Sequence, residues 1–254
     1  MLVSQRHNRI QSLLQENGAV TIAGLMETFA ISMETARRDL AAMEKAGLLT
    51  RVHGGALPLN TPRHYIPLKD RMQSNQSQKQ AIAHAAAALV EEGDYIAIGG
   101  GSTALAFAQA LRQQVQTLTV VTYSIDVFHA LQDLPGYRLL LTGGDYLPTE
   151  RIFSGPRCRD FLNGVFVRKS FIFPTALSLE AGITCYNQTF PEQLQTIVRQ
   201  CDHVYILADS SKFQTAALYQ VVPMQQDFTY ITDTDLPEAL NQLYAEKHLH
   251  FIYP

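Results

Sequence analysis

The sequence contains no tryptophan, only three cysteines, and no run of about 18 apolar residues, the length that a membrane-spanning helix needs. The cysteines, Cys158, Cys185 and Cys201, are widely spaced and form no C-x-x-C pair. Their odd number and their spacing argue against a disulfide framework and against a zinc site. The N-terminal residues lack the apolar core of a signal peptide, so we expect a cytoplasmic protein that binds no membrane.

Metal-binding patterns are also missing. The eight histidines are scattered, and the nearest pair, His248 and His250, has no acidic or thiol companion in the sequence. Because a metal site needs a set of such ligands, we expect no bound metal.

Charge is divided unevenly along the chain. Residues 1–71 hold nine Lys and Arg against six Asp and Glu, a balance of +3, whereas residues 72–254 hold eleven against seventeen, a balance of −6. A basic first part on an acidic remainder indicates an anionic partner for the first part alone.

The first 56 residues have the pattern of three short helices and a hairpin. Apolar residues at helical spacing predict a helix from Ser4 to Glu16, a second from Thr21, and a third from Ser32, its N-cap, to Gly47. The following "LLTRVHGGA" alternates and ends in glycines, as the hairpin of a wing does. A helix-turn-helix whose second helix is basic is typical of proteins that place this helix in the DNA major groove.

The third helix supplies the candidate DNA contacts. Ala36, Leu40 and Met43 share one face and are expected in the core, which leaves the other side chains for DNA. Residues at the start of such a helix reach base edges, and others bind phosphates. We expect Met33, Glu34 and Arg37 at bases, and Thr35, Arg38, Arg51 and His53 at phosphates. The alternative is that Arg37 and Arg38 only solvate an amphipathic helix.

A different pattern follows the first 56 residues. Residues 57–78 contain three prolines and a polar run without sustained periodicity, which predicts a linker. From residue 79 onward helices and strands alternate, which predicts an α/β domain over residues 79–254 with a parallel sheet flanked by helices. The predicted strands are Tyr95–Ile98, 118–122, 137–142, 169–173, 203–208, 228–232 and 249–253.

A glycine loop, "GGGST" at residues 99–103, lies between the first of these strands and a helix. Glycines let the backbone approach a ligand closely, and a helix N-terminus directs free N–H groups at an anion. Gly99, Gly101 and Ala104 also fit G-x-G-x-x-A, a dinucleotide-binding pattern. A dehydrogenase, however, needs an acid at the end of the next strand, which ends instead in Thr122-Tyr123-Ser124. We therefore expect no nicotinamide and no other cofactor.

Several motifs together resemble the DeoR family of bacterial sugar-metabolism repressors. "SMETARRDL" (Ser32 to Leu40) and "MEKAGLLTRVHGGA" (Met43 to Ala56) are similar to the family's N-terminal signature. The likeness continues through "GGGST", the Thr122-Tyr123-Ser124 turn, the Gly143-Gly144 pair and "DSSKF" from Asp209 to Phe213. The resemblance implies a small winged helix-turn-helix over residues 1–56, joined to a larger Rossmann-like α/β sensor domain similar to ribose-5-phosphate isomerase and the CoA transferases.

The resemblance also implies a function. A family member of this kind binds operator DNA, represses a sugar or carbohydrate metabolism operon, and is controlled by a phosphorylated sugar or related small molecule. Lys212 would supply positive charge for the phosphate. The residues expected to bind the effector are Gly100, Gly101, Ser102, Thr103, Thr122, Tyr123, Ser124, Gly143, Gly144, Asp145 and Lys212. Because one head buries too little surface for tight DNA binding, we expect a homo-oligomer, a dimer or tetramer.

Two positions depart from the family pattern. Gly99 replaces the acid that opens the family's Asp-x-Gly-Thr-Thr, and Tyr123 stands where Asn is usual. An isomerase needs a general base, and the missing carboxylate disfavours catalysis, so we expect no enzyme and no catalytic residues. Asp145 and Glu150 remain candidates for binding a sugar hydroxyl. A sugar-phosphate isomerase-like enzyme with an accessory DNA-binding head stays the alternative.

Overall fold

The structure, a computed structural model, describes residues 3–17, 20–52, 55–58 and 66–254. The chain divides into two compact units, one of residues 1–62 with 236–247 and the other of residues 63–235 with 248–254. Among the helices in the described ranges, none is long and apolar enough to cross a membrane.

The first unit contains a winged helix-turn-helix, as the sequence predicts. Its helices are α1 (Val3–Asn17), α2 (Ile22–Phe29) and α3 (Met33–Lys45). Strand β1 (Val20–Thr21) pairs antiparallel with β3 (Gly55–Pro58), which also pairs with β2 (Leu49–Val52) to form the wing. Helix α10 (Glu238–Glu246) is grouped with the same unit.

Two capping residues define the helix-turn-helix. The Thr21 side chain accepts a hydrogen bond from the Gly24 backbone N–H at 3.0 Å, and the Ser32 side chain accepts one from Thr35 at 3.2 Å. Each cap satisfies a backbone donor that the first turn of a helix leaves free. The core of the head contains the predicted apolar face of α3. Its buried members are Ile10, Leu14, Val20, Leu25, Ala36, Leu40, Met43, Leu49 and Ala56.

A buried ion pair joins α1 to α3. The Arg6 guanidinium donates two hydrogen bonds to the Asp39 carboxylate, at 2.5 and 3.0 Å, and His7 Nε2 lies 3.2 Å from the same carboxylate. Burial raises the pKa of Asp39, but the hydrogen bonds from Arg6 and His7 outweigh it, and the pKa falls below its usual value. Arg6 is therefore a structural residue of the head.

The second unit is built on a seven-stranded parallel sheet in the order β15-β14-β12-β9-β4-β5-β6. The strands are β4 (Tyr95–Ile98), β5 (Leu118–Thr122), β6 (Tyr137–Leu141), β9 (Val167–Ile172), β12 (Cys201–Leu207), β14 (Thr229–Ile231) and β15 (His250–Ile252). All seven were predicted from the alternating pattern, so the α/β fold class is confirmed. The chain runs from β4 to one edge and returns through β9 to the other, which creates a switch point between β4 and β9.

The other elements of this unit surround the sheet. The helices are α4 (Leu68–Gln73), α5 (Gln76–Ala87), α6 (Ser102–Gln114), α7 (Ile125–Leu131), α8 (Pro156–Asn163) and α9 (Phe190–Arg199). A hairpin is formed by β7 (Asp145–Leu147) and β8 (Ile152–Ser154), and a small sheet by β10 (Ala176–Ser178), β11 (Gly182–Cys185) and β13 (Tyr219–Val222).

Part of the predicted linker is helical. Helix α4 and the first three residues of α5 lie within 57–78, the range predicted as a linker. Asn75 has a φ of 49°, and this left-handed residue turns the chain between the two helices. Its side chain donates to Asp209 Oδ1 at 3.0 Å, which ties the turn to the loop that follows β12.

Candidate functional site

Two adjoining cavities lie at the carboxyl ends of β4 and β9, at the switch point of the sheet. The larger has a volume of about 310 Å³ and the smaller about 30 Å³. Both are lined by Arg71, Glu150, Thr175 and Phe190; Thr149, Tyr186 and Asn187 complete the larger, and Gly100, Tyr123, Ile152, Phe173, Pro174, Cys185 and Leu194 the smaller. Open α/β sheets bind ligands at such a switch point, and the larger cavity has the volume of a small-metabolite site.

The glycine loop is shaped by close contacts on both sides. A Cβ on Gly100 would lie 2.7 Å from Ile152 Cγ2, so a larger residue has no room there. Gly101 has a φ of 119°, a conformation that favours glycine, and it caps α6 without a side chain. A Cβ on Gly101 would lie 3.6 Å from Arg71 Nη1. The Arg71 guanidinium therefore stands beside the loop, where α6 begins.

Tyr123 fills the space beside Gly99. A Cβ on Gly99 would lie 3.0 Å from the Tyr123 hydroxyl and 3.3 Å from Phe173 Cδ2. The Gly100 backbone N–H donates a hydrogen bond to the same hydroxyl, and burial raises the pKa of Tyr123 well above its usual value. The two departures from the family pattern are thus neighbours in space. Tyr123 occupies the place of a side chain at 99 and takes one N–H of the loop.

Two predicted ligand hydroxyls already have partners in the protein. Thr122 Oγ1 donates to the Ile98 carbonyl at 2.8 Å and accepts from the Ser124 backbone N–H at 3.0 Å. Ser124 Oγ accepts from the Val127 backbone N–H at 3.3 Å and caps α7. Both side chains are buried, so they shape the turn beneath Tyr123.

The segment that carries Glu150 and Ile152 is fixed to this turn. The Phe153 backbone N–H donates to the Tyr123 carbonyl at 2.8 Å, and the Ile125 N–H donates to the Arg151 carbonyl at 3.0 Å. Arg151 has a φ of 53°, and its guanidinium donates to Asp126 at 2.6 Å. These contacts hold the Glu150 carboxylate over the cavities, where it forms an ion pair with Arg71.

Two lysines lie near Arg71. Lys79 is buried, and its ammonium donates to the backbone carbonyls of Arg71 and Ser74. Burial lowers the pKa of Lys212, Asp209 raises it, and Arg71 lowers it. Burial also lowers the pKa of Lys79, with a raising effect of Asp209 and lowering effects of Lys212 and Arg71. The three cations are therefore close enough to repel one another.

Asp209 lies near both lysines and has an unused acceptor. Its Oδ1 accepts hydrogen bonds from Asn75 at 3.0 Å and from the Ser211 backbone N–H at 3.2 Å. Its Oδ2 is buried and has no hydrogen-bond partner within the described part of the chain. A buried acceptor without a donor is unfavourable, and the positive charges of Lys79 and Lys212 nearby offset part of that cost.

The structure gathers only part of the predicted effector set around the cavities. Gly100 and Tyr123 line the smaller one, and Gly101 and Lys212 lie near Arg71. As far as the described residues go, the cavity linings do not include Ser102, Thr103, Gly143, Gly144 or Asp145. Ser102 and Thr103 begin α6, Gly143 and Gly144 form a turn with positive φ, and Asp145 is exposed at the start of β7.

Sequence reasoning missed the residues that complete the lining. Arg71 lies in the range predicted as a linker, Thr175 lies in the loop after β9, and Tyr186, Asn187 and Phe190 follow β11, a four-residue strand that was not predicted. The fragment "LKDRM" does place Leu68, Arg71 and Met72 at helical spacing, but one turn and a half of helix is too short to indicate a helix by pattern alone.

The candidate DNA-contacting residues lie on the exposed side of the winged head. Met33, Glu34, Arg37, Arg38 and Arg51 are exposed. Arg38 Nε lies 3.6 Å from Glu34 Oε1, one helical turn away.

Two other candidates stand apart from this group. The Thr35 hydroxyl lies 2.9 Å from Ser32 Oγ and is part of the helix cap. His53 lies outside the described residues.

A winged helix-turn-helix head and a metabolite-sized cavity in an α/β domain define the class of a ligand-controlled DNA-binding protein. Comparison with family models gives the same result. The model of the DeoR-like helix-turn-helix domain matches residues 6–61, and the model of the DeoR C terminal sensor domain matches residues 74–234. The chain belongs to the DeoR family of transcriptional regulators.

Curated relatives match nearly the whole chain. The transcriptional repressor AccR of Agrobacterium fabrum is 30% identical over 94% of this chain and 96% of that protein. The lactose phosphotransferase system repressor of Lactococcus lactis is 32% identical over 94% of each chain, and the glycerol-3-phosphate regulon repressor of Escherichia coli is 27% identical over 98% of each.

A solved structure of ribose 5-phosphate isomerase A from Neisseria gonorrhoeae is also similar, with a TM-score of 0.39 and 18% identity over 54% of this chain and 53% of that one. A likeness of this size carries no argument about function.

Proposed function

We propose that this protein represses an operon of sugar or carbohydrate metabolism and that a phosphorylated sugar or related metabolite controls its binding to operator DNA. One observation supports the effector class above all: Arg71 stands beside the glycine loop at the switch point of the sheet and lines a cavity of about 310 Å³, with Lys79 and Lys212 close to it. The relatives named as repressors of lactose and glycerol-3-phosphate systems support the same effector class.

The DNA-binding role is assigned to the exposed face of α3 and the wing. Met33, Glu34 and Arg37 read bases, and Thr35, Arg38, Arg51 and His53 bind phosphates. Since two copies of a head are needed to read repeated half-sites, the protein acts as a dimer or tetramer. The proposed domains are 1–56 for DNA, 57–78 for the linker and 79–254 for the sensor. Because its proposed partner is operator DNA, we propose that the protein acts in the cytoplasm.

The sensor acts without catalysis in this proposal. A sugar-phosphate isomerase needs a carboxylate that is able to take a proton from the substrate. Gly99 offers none, the Tyr123 hydroxyl takes up its space, and the Glu150 carboxylate is paired with Arg71. The cavity is therefore suited to hold a metabolite. The DNA-binding head and the family membership support a regulatory role for metabolite binding.

Two measurements test this function. DNA from upstream of its own gene should bind the protein, and log K should fall by about 0.9 per phosphate contact for each tenfold rise in salt. A thermal-shift panel of pentose, hexose and triose phosphates should contain at least one compound that stabilises the protein and changes its DNA affinity. Turnover of any of these compounds would favour the isomerase, and stabilisation without an effect on DNA binding would contradict a sensor.

A further inference from the structure

The two edges of the seven-stranded sheet are protected to different degrees. At one edge, β15 has three residues and is followed by Tyr253 and Pro254. A short edge strand and a nearby proline both hinder pairing with another chain. At the other edge, β6 has five residues, "YRLLL", with no proline and with one charged side chain, that of Arg138. A strand of this kind is a template to which another strand can pair.

The backbone of β6 is bonded to the sheet on one side only. The Thr142 N–H, just after the strand, donates to the Thr122 carbonyl at 3.0 Å. Because alternate residues of a strand direct their N–H and C=O groups to opposite sides, the even-numbered residues of β6 bond to β5 and the odd-numbered ones face outward. Among the described residues, the outward backbone groups of Leu139 and Leu141 have no hydrogen-bond partner.

The side chains of β6 make this edge apolar on both faces of the sheet. Leu139 packs against the core cluster that α5 and α6 cover, and it is half-buried. Leu140, which points to the opposite face, is half-buried as well. A strand that paired with β6 would remove the exposed parts of these side chains from water, which is favourable.

The strand is complementary to itself when a second copy is related to the first by a two-fold axis. Antiparallel pairing centred on Leu139 places all five residues of one β6 opposite the five of the other. The outward N–H and C=O groups of the two Leu139 residues then bond to each other. On the opposite face, Arg138 of each copy lies opposite Leu140 of the other. This register brings no charge directly opposite a like charge.

Helix α7 would extend the contact beyond the strand. It packs against β6, and on it the side chain of Phe128 is half-buried and that of His129 is exposed. A two-fold axis through β6 brings the α7 helices of both copies to the same face of the joined sheet. Since a stable interface buries about 1,000 Å² or more, the two helices supply surface that a pair of strands alone lacks.

We propose that β6 of one copy pairs antiparallel with β6 of a second copy, so that two seven-stranded sheets join into one sheet of fourteen strands. The choice of a second copy as the partner rests on the proposed function, because a repressor that reads repeated half-sites needs two heads. The pairing also explains why this edge, unlike that of β15, has no protection against another strand.

The test compares charges at position 140, where the register places Arg138 of the second copy. Sedimentation velocity over a range of protein concentrations measures the dissociation constant of the dimer for five full-length proteins. They are the wild type, Leu140→Lys, Leu140→Glu, Leu140→Lys combined with Arg138→Glu, and Leu218→Lys as a control. Leu218 is 74% exposed and precedes β13, a strand of the small sheet. Thermal unfolding checks that each protein is folded.

The two substitutions at Leu140 should have opposite effects on dimer formation. Leu140→Lys creates two like-charged pairs across the axis, whereas Leu140→Glu creates two pairs of opposite charge. The dissociation constant should therefore be roughly tenfold or more higher for Leu140→Lys than for Leu140→Glu. Adding Arg138→Glu to Leu140→Lys should restore the dimer, and Leu218→Lys should behave as the wild type does.

Residue-resolved hydrogen exchange of the wild type tests the backbone pairing without any substitution. The N–H groups of Leu139 and Leu141 should exchange slowly at concentrations where the dimer is formed, and rapidly after dilution to the monomer. The N–H of Leu140, which faces β5, is the internal control and should stay protected in both states.

Three results would overturn this interface while the proposed function stands. They are equal dissociation constants for Leu140→Lys and Leu140→Glu, exchange at Leu139 and Leu141 that dilution does not change, and a wild type that is monomeric at every concentration. A dimer that forms through β6 but binds neither the upstream DNA nor any sugar phosphate would instead support the interface and contradict the proposed function. Should Leu140→Lys not fold, the exchange of Leu139 and Leu141 decides.

Discussion

The two units of this protein use arginine in opposite ways. On α3 the side chain of Arg38 is 81% exposed, whereas the side chain of Arg71 is 14% exposed and paired with Glu150. An exposed cation stays hydrated in the free protein and can bind an external anion such as a DNA phosphate. A buried cation needs acceptors within the protein, because an unpaired buried charge is costly. The difference in exposure therefore separates a cation that can bind an external anion from one that needs an acceptor inside the protein.

The head also contains a buried arginine, and its loss has the largest expected effect. Arg6→Met leaves the Asp39 carboxylate buried without its main partner, so we expect a loss of about 3–5 kcal/mol in the free energy of unfolding and loss of DNA binding. Arg9→Met, at an exposed position of the same helix, is the control and should change stability by about 0.5 kcal/mol or less. Chemical denaturation measures both, and equal stabilities would contradict a structural role for Arg6.

The same pair predicts how stability depends on pH. The folded pKa of Asp39 lies below the unfolded value of about 3.9, because hydrogen bonds from Arg6 and His7 outweigh the effect of burial. Its contribution to stability is therefore fully present above that unfolded pKa and is lost as the pH falls through the folded pKa. Denaturation between about pH 5 and pH 2 should show this loss of stability in the wild type. The loss of stability at low pH should be smaller in Asp39→Asn. Parallel stability curves for the two proteins would contradict this role of Asp39.

The contact between Gly99 and Tyr123 gives the next largest effect. Gly99→Ala places a methyl group 3.0 Å from the Tyr123 hydroxyl, and such overpacking costs about 1–3 kcal/mol. In a Tyr123→Phe background the same substitution should cost less, since the hydroxyl is gone. A double-mutant cycle of unfolding free energies should therefore show coupling of about 0.5 kcal/mol or more. Additive effects would mean that the two departures from the family pattern are independent.

The register of the sheet explains why sequence reasoning could identify these two departures but not their contact. Ile98 pairs with Thr122, which brings the residues that follow each strand side by side. Apolar runs that alternate with helical segments predicted both strands with their observed bounds, because strands buried on both faces of a parallel sheet read as nearly continuous apolar runs. Strand order decides which residues lie opposite each other, and the apolar pattern of a single strand gives no information about that order.

The cavity lining was less predictable than the sheet for a related reason. Arg71 lies on a six-residue helix, and the small sheet that supplies Cys185 has strands of three and four residues. Elements of this length owe their structure to packing against the rest of the domain, and their own sequences carry little periodic signal. The charge of Arg71 was visible in the sequence, but its role depends on Glu150, which lies 79 residues further along.

The exposed arginines of α3 should affect DNA binding and leave stability nearly unchanged. Arg37→Ala should weaken binding by about 1–3 kcal/mol and relax the sequence preference if Arg37 reads a base. Arg38→Ala should weaken binding to all sequences alike and lower the salt slope by about one, as loss of a phosphate contact does. Mobility shifts on specific and scrambled DNA at several salt concentrations separate these effects. Identical results for the two variants would contradict their different roles.

The smallest expected effect is at the exposed pair on the same helix. Glu34→Gln removes the partner of Arg38 at 3.6 Å, and pairs of this kind contribute about 0.3–0.5 kcal/mol. Thermal unfolding should therefore hardly change. A loss above 1 kcal/mol would mean that this face is packed in the free protein, which would contradict the comparison with Arg71.

The central claim is that the sensor cavity and the DNA-binding head are coupled, and one titration tests it most directly. The upstream DNA is titrated with the full chain in the presence and absence of each sugar phosphate that stabilises the protein. The account predicts that at least one changes the Kd for DNA by about 5–150-fold, and that DNA changes the affinity for that compound by the same factor. A sugar phosphate that binds the protein while the Kd for DNA stays constant would contradict the account.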